Sequence, residues 1–278
     1  MKITKKVISI LLALLILIPG IGAVSAYAVE GQAIPITIDG KEYKGTSFLK
    51  DSVTYVGIRE FSSVMGASYV LWDSVNKTAT VKSDNLRLSA KNSDSYIIAN
   101  DRYLWAETGV IIISDTMYVP IRTIAKAFCC DVQWNGKTRS VSLTKRGGTL
   151  TFGKYFYNSN DLYWLARIIS AEAGVEPFYG KVAVGTVVLN RCRSTLYPDT
   201  VKDVVFDTKF GVQFTPAANG TVYNYPDDDS IIAAKLCLDG ASISDSVLFF
   251  VNDAIAENSW VRDNRTYVTT IGSHNFYS

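Results

Sequence analysis

The pattern of apolar and polar residues divides the chain into two parts. From about Val29 to Arg146, short β-rich runs alternate with turn residues and short helical segments. From about Asn160 onward, apolar residues recur three and four positions apart, which predicts longer α-helices. Gly147 and Gly148 break the strand pattern between the two parts. We therefore expect an α+β protein with domains at 29–146 and 160–278, joined by a linker at 147–159.

The first part contains an internal repeat. The segment TYVGIREFSSVMGASYVLWDSVNKTATV from Thr54 corresponds to MYVPIRTIAKAFCCDVQWNGKTRSVSL from Met117. Each copy predicts a strand, a helix such as Ile121 to Phe128, a strand around a tryptophan, and a final strand. Three pairs of residues correspond between the copies: Tyr55 with Tyr118, Arg59 with Arg122, and Trp72 with Trp134. We expect the four aromatic residues among them to be core side chains rather than ligand platforms.

The second part is predicted to be mainly helical. Its pattern predicts helices near 160–173, 177–193, 200–206 and 228–239, followed by a hairpin with strands around 247–251 and 266–271. The acids at 227–229 suit the positive end of a helix dipole and are assigned no chemistry. Asn190, in an apolar context, is expected to be a hydrogen-bonded buried amide or a helix cap rather than a substrate contact.

One carboxylate lies on the apolar face of the first long helix. Glu172 follows Leu165, Ile168 and Ile169 by seven, four and three positions, so its side chain shares their face. Desolvation and the negative end of the helix dipole both favour its protonated form and raise its pKa. A carboxyl group that is protonated near neutral pH can act as a general acid. The same spacing also fits a solvated residue at a frayed helix end, so spacing alone leaves both interpretations open.

Glu176 lies four positions after Glu172, a spacing that in a continuous helix would bring two carboxylates together. Gly174 is expected to end the first helix, and Pro177 to open the next. We therefore expect Glu176 to fix the turn between the helices.

The N-terminus has the pattern of a secretory signal peptide. Three lysines precede an apolar run from Val7 to Ile18, and Ala26-Tyr27-Ala28 resembles a cleavage site. We predict a signal peptide at 1–28, export, and no permanent membrane anchor, because the apolar run is too short to span a bilayer. Loss of the three lysines leaves 25 basic against 26 acidic residues, so nucleic acid is not expected as a partner.

The content of cysteine and histidine argues against a metal or cofactor site. His274 is the only histidine, and no Cys-x-x-Cys spacing occurs. The sequence leaves open whether Cys192 and Cys237 form a disulfide. It also permits a thiol peptidase that uses either cysteine with His274, although Cys192 near a helix C-terminus is not in a position that favours a thiolate.

The segment ARIISAEAGVEPFYGKVAVGTVVLNR resembles the spore cortex-lytic and cell wall hydrolase family. The matches are Ala171-Glu172-Ala173, Glu176-Pro177 and Gly180 through Arg191, with later matches at YPDTVKDVV, Gln213-Phe214, LFFVN, Trp260 and IGSHNF. This resemblance covers about 155–278. It implies a lysozyme-related helical domain that cleaves peptidoglycan, with Glu172 as the catalytic residue. Val175 and Phe178 depart from the family pattern, which has a glycine and a tyrosine at these positions.

The repeated first part resembles the copper amine oxidase N-terminal-like domain over roughly 29–146, on the Tyr-Val-Pro-Ile-Arg motif at 118–122 and the tryptophan after the helix. The resemblance implies an accessory module. Copper is not expected there, because this stretch has no histidine. Adhesion to the cell wall is a hypothesis for this part.

The resemblance and the single acid together predict a lytic transglycosylase that cuts between N-acetylmuramic acid and N-acetylglucosamine and leaves 1,6-anhydromuramic ends. The alternatives are a hydrolytic muramidase and a noncatalytic wall-binding protein. Both cortex and vegetative wall remain open as substrates, and the expected location is the cell wall or spore envelope. The candidate substrate-binding residues are Tyr179, Gln213, Phe214, Asn252, Trp260 and His274.

Overall fold

The computed structural model describes residues 31–209, 211–254 and 260–278. The predicted signal peptide at 1–28 lies outside these residues. We call residues 31–150 the N-terminal region and residues 153–278 the C-terminal region. Their buried apolar side chains form two main cores, one built from residues between Ile34 and Leu150 and one from residues between Trp164 and Phe276. A small third cluster in the N-terminal region consists of Phe48, Tyr55 and Tyr118.

The N-terminal region consists mainly of antiparallel strands. Its strands are β1 (Gln32–Ala33), β2 (Ile36–Ile38), β3 (Lys41–Glu42), β4 (Ser47–Lys50), β5 (Val53–Gly57), β6 (Tyr69–Asp73), β7 (Thr78–Lys82), β8 (Arg87–Lys91), β9 (Tyr96–Ala99), β10 (Arg102–Trp105), β11 (Ile111–Ile113), β12 (Thr116–Pro120), β13 (Cys130–Asn135) and β14 (Ser140–Lys145). Its helices are α1 (Ile58–Val64) and α2 (Ile121–Ala127). The sheets have the strand orders β1-β4-β5-β12-β11, β10-β9-β8-β7-β6 and β13-β14-β2-β3.

The two copies of the sequence repeat meet at the centre of one sheet. Strands β5 and β12 pair antiparallel, with Val56 opposite Val119, which is its own counterpart in the repeat. On either side of this pair, Tyr55 lies opposite Pro120 and Gly57 lies opposite Tyr118. The copies are therefore related by an approximate two-fold axis between the two valines.

The aromatic residues of the repeat have two different environments. Tyr55 and Tyr118 are buried, and each packs against Phe48. The prediction that Trp72 and Trp134 are also core residues is wrong, because these side chains are 43% and 42% exposed. They lie on β6 and β13, which are edge strands with mostly exposed or half-exposed side chains.

The C-terminal region is a group of helices with a small sheet. Its helices are α3 (Gly153–Phe156), α4 (Ser159–Ala173), α5 (Phe178–Arg193), α6 (Val201–Val205), α7 (Thr215–Asn219), α8 (Asp228–Leu238) and α9 (Trp260–Asn264), with a 3₁₀ turn at Thr221–Tyr223. Its strands are β15 (Phe249–Val251), β16 (Tyr267–Ile271) and β17 (His274–Tyr277), in the order β15-β17-β16. The long helices α4, α5 and α8 pack against one another.

The structure matches the predicted α+β class. The predicted long helices correspond to α4, α5, α6 and α8, and the predicted strands to β15 and β16. The predicted hairpin is incomplete, because β17 pairs with both of those strands. Residues 147–159, predicted as a linker, are ordered against the N-terminal region: Leu150 is buried, and the Tyr157 hydroxyl accepts a hydrogen bond from the backbone N–H of Tyr103 at 2.9 Å.

Two further features concern the residues that the structure describes. Among them, none of the helices has the length and apolarity needed to cross a lipid bilayer. All four cysteines lie within the described part of the chain and are free thiols, so Cys192 and Cys237 are not bridged.

Candidate active site

Helix α4 carries Glu172 in its last turn. The helix begins where the side chain of Asn158 accepts hydrogen bonds from the backbone N–H groups of Asn160 and Asp161, at 2.9 and 3.1 Å. Leu165 and Ile168 on its inner face are fully buried. Because Glu172 follows them at helical spacing, its side chain is directed along this face and is only partly exposed.

The environment of Glu172 favours its protonated form. Burial raises the pKa of this carboxyl from 4.5 to about 7, while the charge of Arg191 acts in the opposite direction. Both the protonated and the ionised form are therefore populated near neutral pH, as a group that alternates between acid and base requires.

Arg191 is a second ionisable group of the site, and no role was predicted for it from the sequence. Its side chain is buried, its Nε donates to the backbone oxygen of Leu248 at 2.8 Å, and its guanidinium lies 5.1 Å from the ring centre of Phe214. Within the described residues its Nη1 has no hydrogen-bond partner. Spacing could have identified it, because Arg191 follows Val187 and Val188 by four and three on an apolar helix, as Glu172 does on α4.

A buried lysine fixes the end of α4. The ammonium group of Lys181 donates to the backbone oxygen of Gly174 at 2.8 Å and forms an ion pair with Asp227 at 3.1 Å. Burial opposes ionisation of Asp227, but hydrogen bonds from Ser230, Lys181 and Ser170 lower its pKa to about 2. Asp227 also caps α8, as its position at a helix start predicts. This network joins α4, α5 and α8 beside Glu172.

Glu176 fixes the turn after α4, as predicted from the sequence. Its carboxylate accepts hydrogen bonds from the backbone N–H of Ser273, at 2.9 Å, and from the Ser273 hydroxyl. Although burial opposes it, these bonds lower the pKa of Glu176. Gly272 has φ +60°, and a Cβ there would overlap the Glu176 carboxylate. Glu176 thus ties the α4–α5 turn to the β16–β17 hairpin.

Three of the predicted substrate residues lie on or beside the small sheet. Asn252 donates to the Ser273 hydroxyl at 3.1 Å. Trp260 is 51% exposed, and its ring centre is 6.4 Å from that of Phe249. His274 is buried against Phe250, burial lowers its pKa, and its Nδ1 has no partner among the described residues. Phe249 links this group to the site, because its ring centre lies 5.7 Å from the Arg191 guanidinium.

The other three predicted residues have different surroundings. Phe214 is only 1% exposed, so its ring supports Arg191 and presents no surface to a sugar. The side chain of Gln213 donates to the backbone oxygen of Gly211 at 3.0 Å, within its own loop. The hydroxyl of Tyr179 donates to Glu107 of the N-terminal region at 2.8 Å. Phe214 therefore lies beside Arg191, whereas the contacts of Gln213 and Tyr179 are with their own loop and with the N-terminal region.

The amide of Asn190 is buried and hydrogen-bonded, as predicted. Its Nδ2 donates to the backbone oxygens of Ser244 and Val247 at 2.9 and 3.0 Å. This amide therefore fixes the loop before β15.

The described residues offer little support for thiol or metal chemistry. Burial raises the pKa of Cys192 to about 11 and that of Cys237 to about 12, so neither forms a thiolate at neutral pH. Over residues 31–209, 211–254 and 260–278, no group of three or more His, Cys, Asp or Glu side chains is arranged to hold a metal ion.

Two family models match the chain. Residues 175–277 match the Cell Wall Hydrolase model. The C-terminal region carries a cell wall hydrolase domain. Residues 37–143 match the copper amine oxidase N-terminal domain, so the resemblance of both parts is confirmed. The first match begins three residues after Glu172, so it does not include the candidate acid.

The cell wall hydrolase domain is homologous to spore cortex-lytic enzymes. The spore cortex-lytic enzyme of Oceanobacillus iheyensis is 35% identical over 120 residues, which are 43% of this chain and 42% of that protein. The spore cortex-lytic enzyme of Bacillus subtilis is 32% identical over 120 residues, 43% of this chain and 38% of that protein. The chain thus matches less than half the length of either relative.

Solved structures also resemble the C-terminal part of the chain. The catalytic domain of the germination-specific lytic transglycosylase SleB from Bacillus anthracis is 30% identical, with a TM-score of 0.41. The match covers 46% of this chain and 100% of that domain.

Proposed function

We propose that this chain is an exported enzyme that cleaves the glycan strands of peptidoglycan, with Glu172 as its catalytic acid. The observation that carries the proposal is the partly buried Glu172, whose pKa burial raises to about 7. The cell wall hydrolase domain and its homology to spore cortex-lytic enzymes support peptidoglycan as the substrate. The N-terminal pattern supports export, and the relatives' names favour the spore cortex over the vegetative wall.

The surroundings of Glu172 favour a lytic transglycosylase over a hydrolase. Retaining glycosidases use a second carboxyl group about 5 Å from the acid. The charged group that acts on Glu172 is Arg191, whose positive charge lowers its pKa and favours the carboxylate form. A reaction in which one residue donates a proton and then takes one back fits this arrangement better.

The proposed reaction has two proton transfers. Glu172 first donates its proton to the oxygen that links N-acetylmuramic acid to N-acetylglucosamine, and the bond from that oxygen to the muramic C1 breaks. The C6 hydroxyl of the same muramic residue then bonds to C1 and releases its proton to the Glu172 carboxylate. The product carries a 1,6-anhydro ring, no water is consumed, and Glu172 is protonated again.

The neighbouring residues have supporting roles in this proposal. Arg191 stabilises the carboxylate that exists between the two proton transfers. Lys181 and Glu176 hold the two ends of the α4–α5 turn. Asn252 and Trp260 are the predicted substrate residues that offer polar and aromatic surface beside β15.

Product analysis tests the proposal. Purified full-length protein is incubated with spore-cortex and vegetative sacculi, and the soluble fragments are identified by mass spectrometry. We expect 1,6-anhydromuramic ends, and we expect Glu172→Gln to abolish their release while Glu42→Gln, an exposed surface change, does not. Reducing muramic ends would indicate a hydrolase. Absence of any release would indicate a noncatalytic wall-binding protein.

A further inference from the structure

The repeat in the N-terminal region builds two related cavities. One, of about 270 Å³, is lined by Arg59, Val70 and Trp72 among others. The second, of about 650 Å³, is lined by their counterparts in the other copy, namely Arg122, Val132 and Trp134. The approximate two-fold axis between Val56 and Val119 relates the two copies. The duplicated sequence thus forms a pair of similar recesses.

The same contact orders the arginine in both cavities. Nη1 of Arg59 donates to the backbone oxygen of Val70 at 3.1 Å, and Nη1 of Arg122 donates to that of Val132 at 3.5 Å. In each copy the tryptophan follows this valine by two positions, so the valine and tryptophan side chains lie on the same face of the strand. Each recess therefore combines an anchored guanidinium with a half-exposed indole.

Packing and ion pairing within the protein do not explain the exposed tryptophan and the arginine of either recess. Both indoles keep more than two fifths of their surface exposed. Across the described ranges, neither guanidinium has a carboxylate within ion-pair distance. Polar groups in this state are available to a ligand.

The charges of the cavity walls limit the chemistry of the ligand. Groups of opposite charge line each recess: Glu60 and Asp115 lie with Arg59 in the smaller one, and Glu107 lies with Arg122 and Lys126 in the larger one. This mixture disfavours a polyanion and a purely apolar ligand. A sugar ring matches it, because its hydroxyl and acetamido groups pair with both donors and acceptors and its C–H face packs on an indole.

We propose that each recess binds one pyranose unit of a glycan, with Trp72 or Trp134 under the ring and Arg59 or Arg122 bonded to its polar edge. The choice of wall glycan as the natural ligand rests on the proposed function. A glycan strand has two different ends, and a two-fold axis turns the second recess around. A single strand that crossed the axis would therefore enter the second recess in the opposite direction. The two sites therefore hold separate strands, and the larger site holds its strand against Gly240 and Ala241 of the cell wall hydrolase domain.

Indole N–H signals in nuclear magnetic resonance test both sites directly. Full-length ¹⁵N-labelled Glu172→Gln is titrated with tri-N-acetylchitotriose, and the two signals are assigned by their loss in Trp72→Phe and Trp134→Phe. We expect both signals to shift in a saturable way, while that of the buried Trp164 does not. We expect Arg59→Gln to raise the Kd of its own site by about tenfold without affecting the other, and Arg122→Gln to do the converse.

Sedimentation with sacculi provides the second measurement. We expect Trp72→Ala combined with Trp134→Ala to reduce binding of the Glu172→Gln protein by about tenfold or more, because two sites act together. Tyr155→Ala, which removes an exposed aromatic ring that lines neither recess, is the matched control and should bind normally. Unshifted indole signals, or equal loss in the control, would overturn the proposal. Intact binding by a wild-type protein that releases no fragments would overturn only the catalytic proposal.

Discussion

Arg102 donates two hydrogen bonds to the carboxylate of Asp239 across the boundary between the two regions, at 2.7 Å from Nε and 3.1 Å from Nη2. The two side chains are 9% and 1% exposed. The ammonium group of Lys126 donates to the backbone oxygen of Asp239 at 2.6 Å. One buried acid just after α8 therefore fixes the cell wall hydrolase domain against the N-terminal region.

Asp239→Asn should weaken this junction. The change leaves Arg102 buried without its counter-charge, and loss of one partner of a buried ion pair lowers the free energy of unfolding by about 3 kcal/mol or more. We expect a lower urea midpoint in equilibrium unfolding followed by circular dichroism. Asp199→Asn, at an exposed acid, is the control. Equal midpoints for the two variants would show that the junction contributes little stability.

Glu172→Gln should stabilise the protein at alkaline pH. Because the folded-state pKa is raised above the unfolded value, stability falls as pH rises from about 4.5 to about 7 and then stays level. The neutral amide removes this penalty, which is at most about 3 kcal/mol. We expect the variant to melt above wild type at pH 8 and close to it at pH 4. A melting difference independent of pH would contradict burial of the carboxyl.

The pH dependence of lysis should have one limb near neutrality. In the proposed mechanism the free enzyme must carry a protonated Glu172, so kcat/KM should fall about tenfold per pH unit above pH 7. A second catalytic carboxylate, which must be ionised, would add an acid limb. Initial rates of sacculus clearing between pH 4.5 and 9 provide the measurement. A bell-shaped profile with a limb near pH 5 would favour the hydrolase.

Arg191→Met should move that limb upward. The positive charge of Arg191 lowers the pKa of Glu172, so its removal raises the pKa and shifts the alkaline limb to higher pH. We also expect kcat to fall, because the intermediate carboxylate loses its cation. Arg191→Lys keeps the charge and should keep the limb near its original pH. If the alkaline limb stays at the same pH in Arg191→Met, the charge of Arg191 does not affect the pKa of Glu172.

Thiol alkylation should leave lysis intact. With its pKa raised to about 11, Cys192 is ionised in only about one molecule in ten thousand at pH 7. We expect iodoacetamide treatment at pH 7 to preserve the rate of fragment release. Mass spectrometry shows which cysteines are modified. Loss of activity in proportion to modification of Cys192 would support a thiol peptidase instead.

Sequence patterns predicted the helices and strands more accurately than the exposure of individual side chains. Helices α4 and α5 follow from periodicity and from the Gly174–Pro177 stretch, which are local signals. Strand β17 was missed because four residues after a turn carry too little periodicity to separate a strand from a loop. The exposure of Trp72 and Trp134 was missed because β propensity does not distinguish an edge strand from a central one.

The amino-acid sequence by itself determined the α+β class, the repeat, and the position of Glu172 on an apolar helical face, because all three depend on spacings within short segments. Only the tertiary structure decided that the charge of Arg191 acts on Glu172, that Glu176 binds Ser273, and that Asp239 pairs with Arg102. These partners lie far apart along the chain, and the electrostatic energy of a buried charge depends on which groups folding brings beside it.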